Sequence, residues 1–208
     1  MPRHADPELE DRILNAAHAL WHRGGEKALT LRAVARAAKT NTPAMYRRFK
    51  NRDDLVRCLL LRLALRIRED FEAGGTIEGM AEAYVEAALR EPHEYKLFYD
   101  HAPKLLPAKG RGQPRPIRES RPNFALVEKR LADQLGGSPE DHTRLALAIW
   151  ATLHGTSTLL LTKNIPEGHE SELRSACRSA VKALIDRADM FPEKNGKPAP
   201  ERSRPADA

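Results

Sequence analysis

The chain has 208 residues, 41% of them hydrophobic and 31% charged, and a formal net charge of +6; this length holds one large or two small domains around a packed core. Cys58 and Cys177 stand far apart with no CxxC or Cys/His zinc spacing, which excludes a disulfide framework and fits a reduced, cytoplasmic chain. The opening residues MPRHADPELEDR hold no apolar leader, and no apolar run reaches the ~18 residues of a membrane span, so neither export nor a membrane partner is expected.

Ala, Leu, Arg and Glu dominate and β-branched runs are scarce, so an all-α fold of about nine helices is expected. Residues 1–6 read as a frayed arm. The first helix is expected over residues 7–23. Asp6 is its N-cap, Pro7 takes the first helical position, and Glu8, Glu10 and Asp11 suit the positive end of the dipole. Ile13, Ala16, Ala17, Leu20 and Trp21 form its inward stripe, and Gly24-Gly25 is expected to stop it. His18 and His22 lie four apart on one face, which is metal-capable spacing. With no third ligand in sight along the chain, they read as surface or packing histidines.

Residues 30–52, TLRAVARAAKTNTPAMYRRFKNR, carry the strongest signal. Leu31, Val34, Ala35 and Ala38 line one face of a short helix over residues 31–37, with Thr30 as its N-cap. A second short helix follows over residues 41–49, capped by Asn41. It tolerates Pro43 in its first turn and turns Met45 and Phe49 inward. Ala38-Lys39-Thr40 leaves room only for a sharp turn, so the pair reads as a helix-turn-helix whose second helix can enter a DNA major groove. Between residues 27 and 68, twelve Lys/Arg stand against two acids, Asp53 and Asp54. Such a concentration is the footprint of a phosphate-binding surface. The candidate DNA contacts are Thr30, Arg32, Thr40, Asn41, Thr42, Pro43, Ala44, Tyr46, Arg47, Arg48, Lys50 and Arg52. The small residues at 42–44 allow close approach to base edges and thymine methyls, and Tyr46 with the cations suits phosphates on both sides of a groove.

Gly25, Ala28, Thr30, Val34-Ala35, Ala38, Asn41, Met45-Tyr46, Phe49, Arg52 and Leu55 fall in an order and spacing that resembles the N-terminal domain of TetR/AcrR-type repressors. The resemblance covers residues 9–58. It implies a three-helix DNA-binding domain, an all-α ligand-binding domain behind it, and a homodimer on a palindromic operator. Three positions depart from the pattern: Lys39 stands where the turn usually carries Gly, Thr40 replaces the usual Val, and Arg52 replaces the usual Lys. A side chain at a left-handed turn position is strained, so Lys39 is where strain or an altered turn is expected.

Asn51 can cap a long fourth helix running to about residue 73, with Leu55, Val56, Leu59, Leu60, Leu63, Ile67 and Phe71 as its apolar positions and Gly74-Gly75 as its stop. Thr76 starts a helix over residues 77–90 (Met80, Ala81, Tyr84, Val85, Ala88). Pro92 opens PHEYKLFYDH, which crowds Tyr95, Leu97, Phe98, Tyr99 and His101 onto one short helix. Residues 102–121, rich in Pro, Gly and Arg, read as a long, mobile, basic loop. A helix over residues 123–134 places Phe124, Val127, Leu131 and Leu135 together, and Gly136-Gly137 ends it. Ser138 caps the next helix, with Pro139 at its first position. This helix is expected to run to about residue 163 and is apolar nearly all round, hence buried on more than one side. The last helix, residues 170–190, carries Leu173, Ala176, Cys177, Ala180, Val181, Leu184 and Ile185 at helical spacing. In the resembling family the last two helices of each subunit form a four-helix dimer interface, which falls here on residues 139–163 and 170–190. Trp150, His154 and Gly155 also resemble the C-terminal domain of a branch named for its Trp-His-Gly motif. Residues 192–208 have no apolar periodicity and are expected to be disordered. The expected domains are residues 1–53 for DNA binding and 54–191 for effector binding and dimerisation, followed by that tail.

No catalytic constellation assembles. GxSxG, HExxH and a glycine-rich loop after a strand are all missing, and neither a cofactor nor a metal is expected. A few polar groups among aromatics are what fix a small molecule, which makes Tyr84, Tyr95, Phe98, Tyr99, Phe124, Trp150 and His154 the candidate effector pocket, for a largely apolar compound. The expected function is a homodimeric, ligand-released, sequence-specific repressor on double-stranded DNA. A non-specific architectural DNA-binding protein with no effector is the alternative, and the ratio of specific to non-specific affinity at fixed salt separates the two.

Overall fold

Side-chain oxygens set the helix starts in the first half of the chain. Thr30 Oγ1 accepts from the Ala33 N–H at 3.2 Å, Asn41 Oδ1 from the Ala44 N–H at 2.9 Å, Asn51 Oδ1 from the Asp54 N–H at 2.9 Å, and Thr76 Oγ1 from the Gly79 N–H at 3.1 Å. Each satisfies one backbone donor that the first turn leaves without a helical partner. The structure, a computed structural model, describes residues 8–105, 117–121 and 123–192. Its regular elements are all helical: α1 (Leu9–Ala28), α2 (Leu31–Ala37), α3 (Thr42–Arg48), α4 (Arg52–Gly74), α5 (Ile77–Arg90), α6 (Pro92–Leu105), α7 (Ile117–Ser120), α8 (Phe124–Leu135), α9 (Thr143–Leu161) and α10 (Glu170–Asp186). Short 3-10 turns precede α9 (Pro139–His142) and follow α10 (Ala188–Met190).

Gly24-Gly25 does stop the first helical run, as expected: Gly25 leaves helical geometry at φ 59° and ψ −150°, and a separate short turn follows it to Ala28. Two expectations shift. The loop expected over residues 102–121 is helical at both of its described ends. α6 continues to Leu105 through Pro103, and α7 occupies Ile117–Ser120; the remainder of that loop and the tail from residue 193 lie outside the described residues, as does the arm at residues 1–6. The long apolar helix begins as a 3-10 turn, where the Asp141 carboxylate accepts both the Ser138 N–H (2.7 Å) and its hydroxyl (2.9 Å). Those hydrogen bonds from Ser138 hold the Asp141 pKa below its ordinary value.

The chain divides into two compact units, Met1–Glu72 with Glu86–Asn123, and Ala73–Val85 with Phe124–Ala208. In the first, α1 to α4 share one core with α6. Ile13, Ala17, Val34, Met45, Leu55, Leu60 and Leu97 are all within a few per cent of full burial, joined by Trp21 and Phe49. Trp21 also donates its indole N–H to the His93 carbonyl at 2.7 Å, tying α1 to the start of α6. In the second unit, Leu131, Leu145, Ile149, Val181 and Ile185 are buried from α8, α9 and α10. Glu128 is fully buried among them and accepts the Thr143 hydroxyl at 2.6 Å.

Candidate nucleic-acid interface

α2 ends in a turn closed by two backbone bonds. The Thr40 N–H reaches back to the Ala35 carbonyl at 2.9 Å, and the Lys39 N–H to the Arg36 carbonyl at 3.2 Å. This pairing is a Schellman end, and it needs a left-handed residue between the two bonds. Lys39 supplies it, at φ 52°. The turn therefore keeps the geometry that glycine would give, with the strain held in a lysine. The same device ends α9: the Asn164 N–H reaches the Leu159 carbonyl at 3.1 Å, and Lys163 sits at φ 52°.

The turn sets α3 on the core through Met45 and Phe49, both buried as their spacing requires. Thr42 is half-buried, while Pro43, Tyr46, Arg47 and Arg48 are exposed, Tyr46 at 57%. Ala44 corrects the sequence reading. It is only 4% exposed, beside Met45 on the inner face, so its methyl is unavailable to a thymine. A seven-residue helix that must bury its inward positions turns the flanking Ala44 inward too. Thr30 and Asn41 stand at the helix starts with their side-chain oxygens engaged as caps. Thr40 is half-buried between them.

The cations of this region fall into two groups. Arg48 faces Glu10 of α1 at 3.8 Å. Arg52, expected at a phosphate, donates Nε to the Leu29 carbonyl at 3.0 Å and Nη2 to the Glu26 carboxylate at 3.1 Å. It closes the α1–α2 connection, so Nε and Nη2 are engaged within the head. By contrast Arg32, Arg36, Lys39, Arg47 and Lys50 are exposed and make no ion pair among the described residues. Arg36 and Lys39 were not among the candidate DNA contacts; Arg36 lies one turn from Arg32 on the same face, and that spacing is a signal that finds it. Behind the surface, the Arg57 guanidinium bonds Asp54 at 2.7 Å and holds its carboxyl below the ordinary range. Burial pushes the Cys58 thiol pKa up.

The aromatic residues expected to form the pocket are found in both units. In the first unit the rings of Tyr95 and Tyr99 lie tilted to each other at 4.7 Å between centroids, with Phe98 edge-on to Tyr99 at 6.0 Å. In the second, the Trp150 indole N–H points to the Tyr84 hydroxyl at 3.3 Å, and Phe124 stands edge-on to Trp150 at 6.3 Å. His154, one turn along α9, is half-buried, and desolvation lowers its pKa. The second unit also carries a groove of about 230 Å³ with none of these residues in its wall. Its floor is Ala81, Val85, Leu153 and Val181, and Arg174 and Arg178 stand at its rim.

An all-helical chain with a capped helix-turn-helix and an uncompensated basic face belongs by class to the helix-turn-helix DNA-binding proteins. The family model described as bacterial regulatory proteins, tetR family, matches residues 13–59, and that described as tetracyclin repressor-like, C-terminal domain, matches residues 77–188, a span that holds Trp150, His154 and Gly155. No curated protein matches the chain. Among solved structures, a TetR-family transcriptional regulator from Streptomyces coelicolor is 20% identical, with TM-score 0.61 over 86% of this chain and 99% of that one. The multidrug binding protein EbrR complexed with imidazole is 24% identical, with TM-score 0.57 over 89% and 94%. A TetR variant from Acinetobacter baumannii AYE in complex with minocycline is 17% identical, with TM-score 0.57 over 88% and 97%. The chain belongs to the tetR family of bacterial regulatory proteins, which are DNA-binding transcriptional regulators and not enzymes. No described helix is long and apolar enough to cross a membrane.

Proposed function

We propose that the protein is a homodimeric repressor, released from a palindromic operator by a small-molecule effector. The observation that carries this reading is the outward face of the head. Thr42, Pro43, Tyr46 and Arg47 are accessible on α3, and Arg32, Arg36, Lys39 and Lys50 are exposed around them, none in an ion pair among the described residues. Thr42 and Pro43 meet base edges in this reading, while Tyr46 and the cations hold phosphates. A dimer joined through α9 and α10 (residues 139–163 and 170–190) would set two copies of α3 about one DNA turn apart, roughly 34–36 Å or a multiple. Exposed apolar positions on those helices support this, among them Leu147 at 38%. Residues 1–53 serve as the DNA-reading part and residues 54–191 as the effector and dimer part.

The effector reading rests on Tyr84, Phe124 and Trp150, whose rings already cluster, with His154 beside them. The relatives solved with minocycline and with imidazole support a ligand in a fold of this kind. An effector lowers operator affinity only by its differential affinity for the two conformations of the dimer. The deciding experiment is a footprint on selected DNA, combined with light scattering. A discrete, two-fold protected site bound by a dimer is expected, and uniform protection with no preferred sequence sinks the repressor reading in favour of architectural binding. On that site Tyr46→Ala weakens all sequences alike, whereas Thr42 substitutions change the preferred base.

A further inference from the structure

α1 and the α5–α6 corner meet through four ligating side chains that the DNA-binding role does not use. His22 Nδ1 lies 3.2 Å from Glu91 Oε2. One ligand atom each from His22, Glu91 and Glu94 falls within 4.8 Å of the other two. His18, one helical turn before His22, places its Nε2 against Oε1 of Glu94. The sequence showed only the two histidines at metal-capable spacing; the third and fourth donors arrive from α6 and the residue before it.

Two features distinguish this cluster from an ordinary charged patch. Glu91 Oε2 is shut off from solvent and accepts no hydrogen bond among the described groups, although an imidazole nitrogen stands beside it. A buried carboxylate oxygen without a donor is costly, and a shared cation is one of the few remedies. The spacing suits that remedy: ligands at 2.0–2.2 Å from a tetrahedral ion stand roughly 3.3 Å apart, and His22 and Glu91 are already at that separation. His22 is exposed, which leaves an entry path. Arg66 is the opposing charge, with Nη1 3.0 Å from His18 Nε2 and 3.5 Å from Glu94 Oε1. Two carboxylates against one guanidinium still leave the cluster net negative.

We propose that His22, Glu91 and Glu94 form a binding site for a divalent transition-metal ion of the Zn2+ class, with His18 bonded to Glu94 and orienting it. One imidazole with two carboxylates favours a borderline ion over Ca2+ or Mg2+, which prefer all-oxygen shells. The fourth position is left to water. The ion cross-links α1 of the DNA-reading head to the start of α6, so its occupancy stabilises the fold of the first unit. This site stands independently of the operator and effector reading.

The test uses the full chain without an affinity tag, stripped with chelator, and titrates ZnCl2 by calorimetry and by thermal unfolding. One ion per chain is expected. With metal a hundredfold above Kd, the Tm is expected to rise by about 5–10 °C. His22→Ala and Glu91→Gln each lower the affinity at least tenfold, while His169→Ala, which removes an exposed histidine paired with Glu172 on α10, leaves it unchanged. Circular dichroism in chelator shows whether each variant folds; should one fail, Glu94→Gln replaces it. Absence of stoichiometric binding to the folded parent chain overturns the site. So does binding that survives in the folded His22 and Glu91 variants, or that disappears with His169→Ala.

Discussion

The cations of the head and those of α10 behave differently. On α10, Arg174 and Arg178 each stand 3.6 Å from Glu82, and Lys182 faces Asp186 at 3.4 Å. In the head, Arg32, Arg36, Lys39, Arg47 and Lys50 are exposed and form no ion pair among the described residues, while Arg48 pairs with Glu10 of α1 and Arg52 bonds to the α1–α2 connection. The net charge of +6 alone does not predict a polyanion partner; exposed cations gathered in the head without ion pairs are the stronger signal. The difference also separates two kinds of arginine inside the motif: Arg48 and Arg52, paired within the head, and Arg32, Arg36 and Arg47, exposed without an ion pair among the described residues.

The largest expected effect sharpens the contrast between framework and surface within α3. Phe49→Ala empties a side chain that is 1% exposed and should lower the unfolding free energy by roughly 3–5 kcal/mol in urea melts. Tyr46→Ala, three residues earlier and 57% exposed, should change it by no more than about 0.5 kcal/mol while still impairing DNA binding. Next, Arg47→Ala should reduce the slope of log K against log salt by about 1, whereas Arg174→Ala should leave it unchanged. Equal slopes for the two variants would erase the distinction between the regions. Arg52→Ala should act mainly on the fold, costing about 1–2 kcal/mol of stability through the lost bonds to Leu29 and Glu26, as read by thermal unfolding. A variant that keeps full stability but loses DNA affinity would return Arg52 to the phosphate contacts. Lys39→Gly and Lys163→Gly form the smallest pair. Each relieves a left-handed lysine and should raise stability by roughly 0.5 kcal/mol, but only the change at Lys39 should lower DNA affinity.

Much of the head was legible in sequence because its signals act over three or four residues. Thr30, Asn41 and Asn51 cap the helices they precede, and Met45 and Phe49 are inward because one turn separates them. The strain at Lys39 was expected from the resemblance, whose pattern carries Gly at that turn position, and Lys39 stands at φ 52°. Ala44 was not legible. Which flank of a seven-residue helix is covered depends on the elements it docks against. Nor was the division of the arginines, since the acceptor for Arg52 Nε lies 23 residues earlier in the chain.

The wider contrast is between local and distant partners. From the residues alone came an all-helical fold, its helix-turn-helix, its caps and the helical stretches behind it, since periodicity and capping depend on near neighbours; the tetR family came from the resemblance over residues 9–58. Tertiary structure decided which arginines of the head form ion pairs and which do not. It also gave His18 a partner 76 residues away, in Glu94. Charge pairing and ligand convergence are set by distance in space, and spacing along the chain carries that information only within a helix.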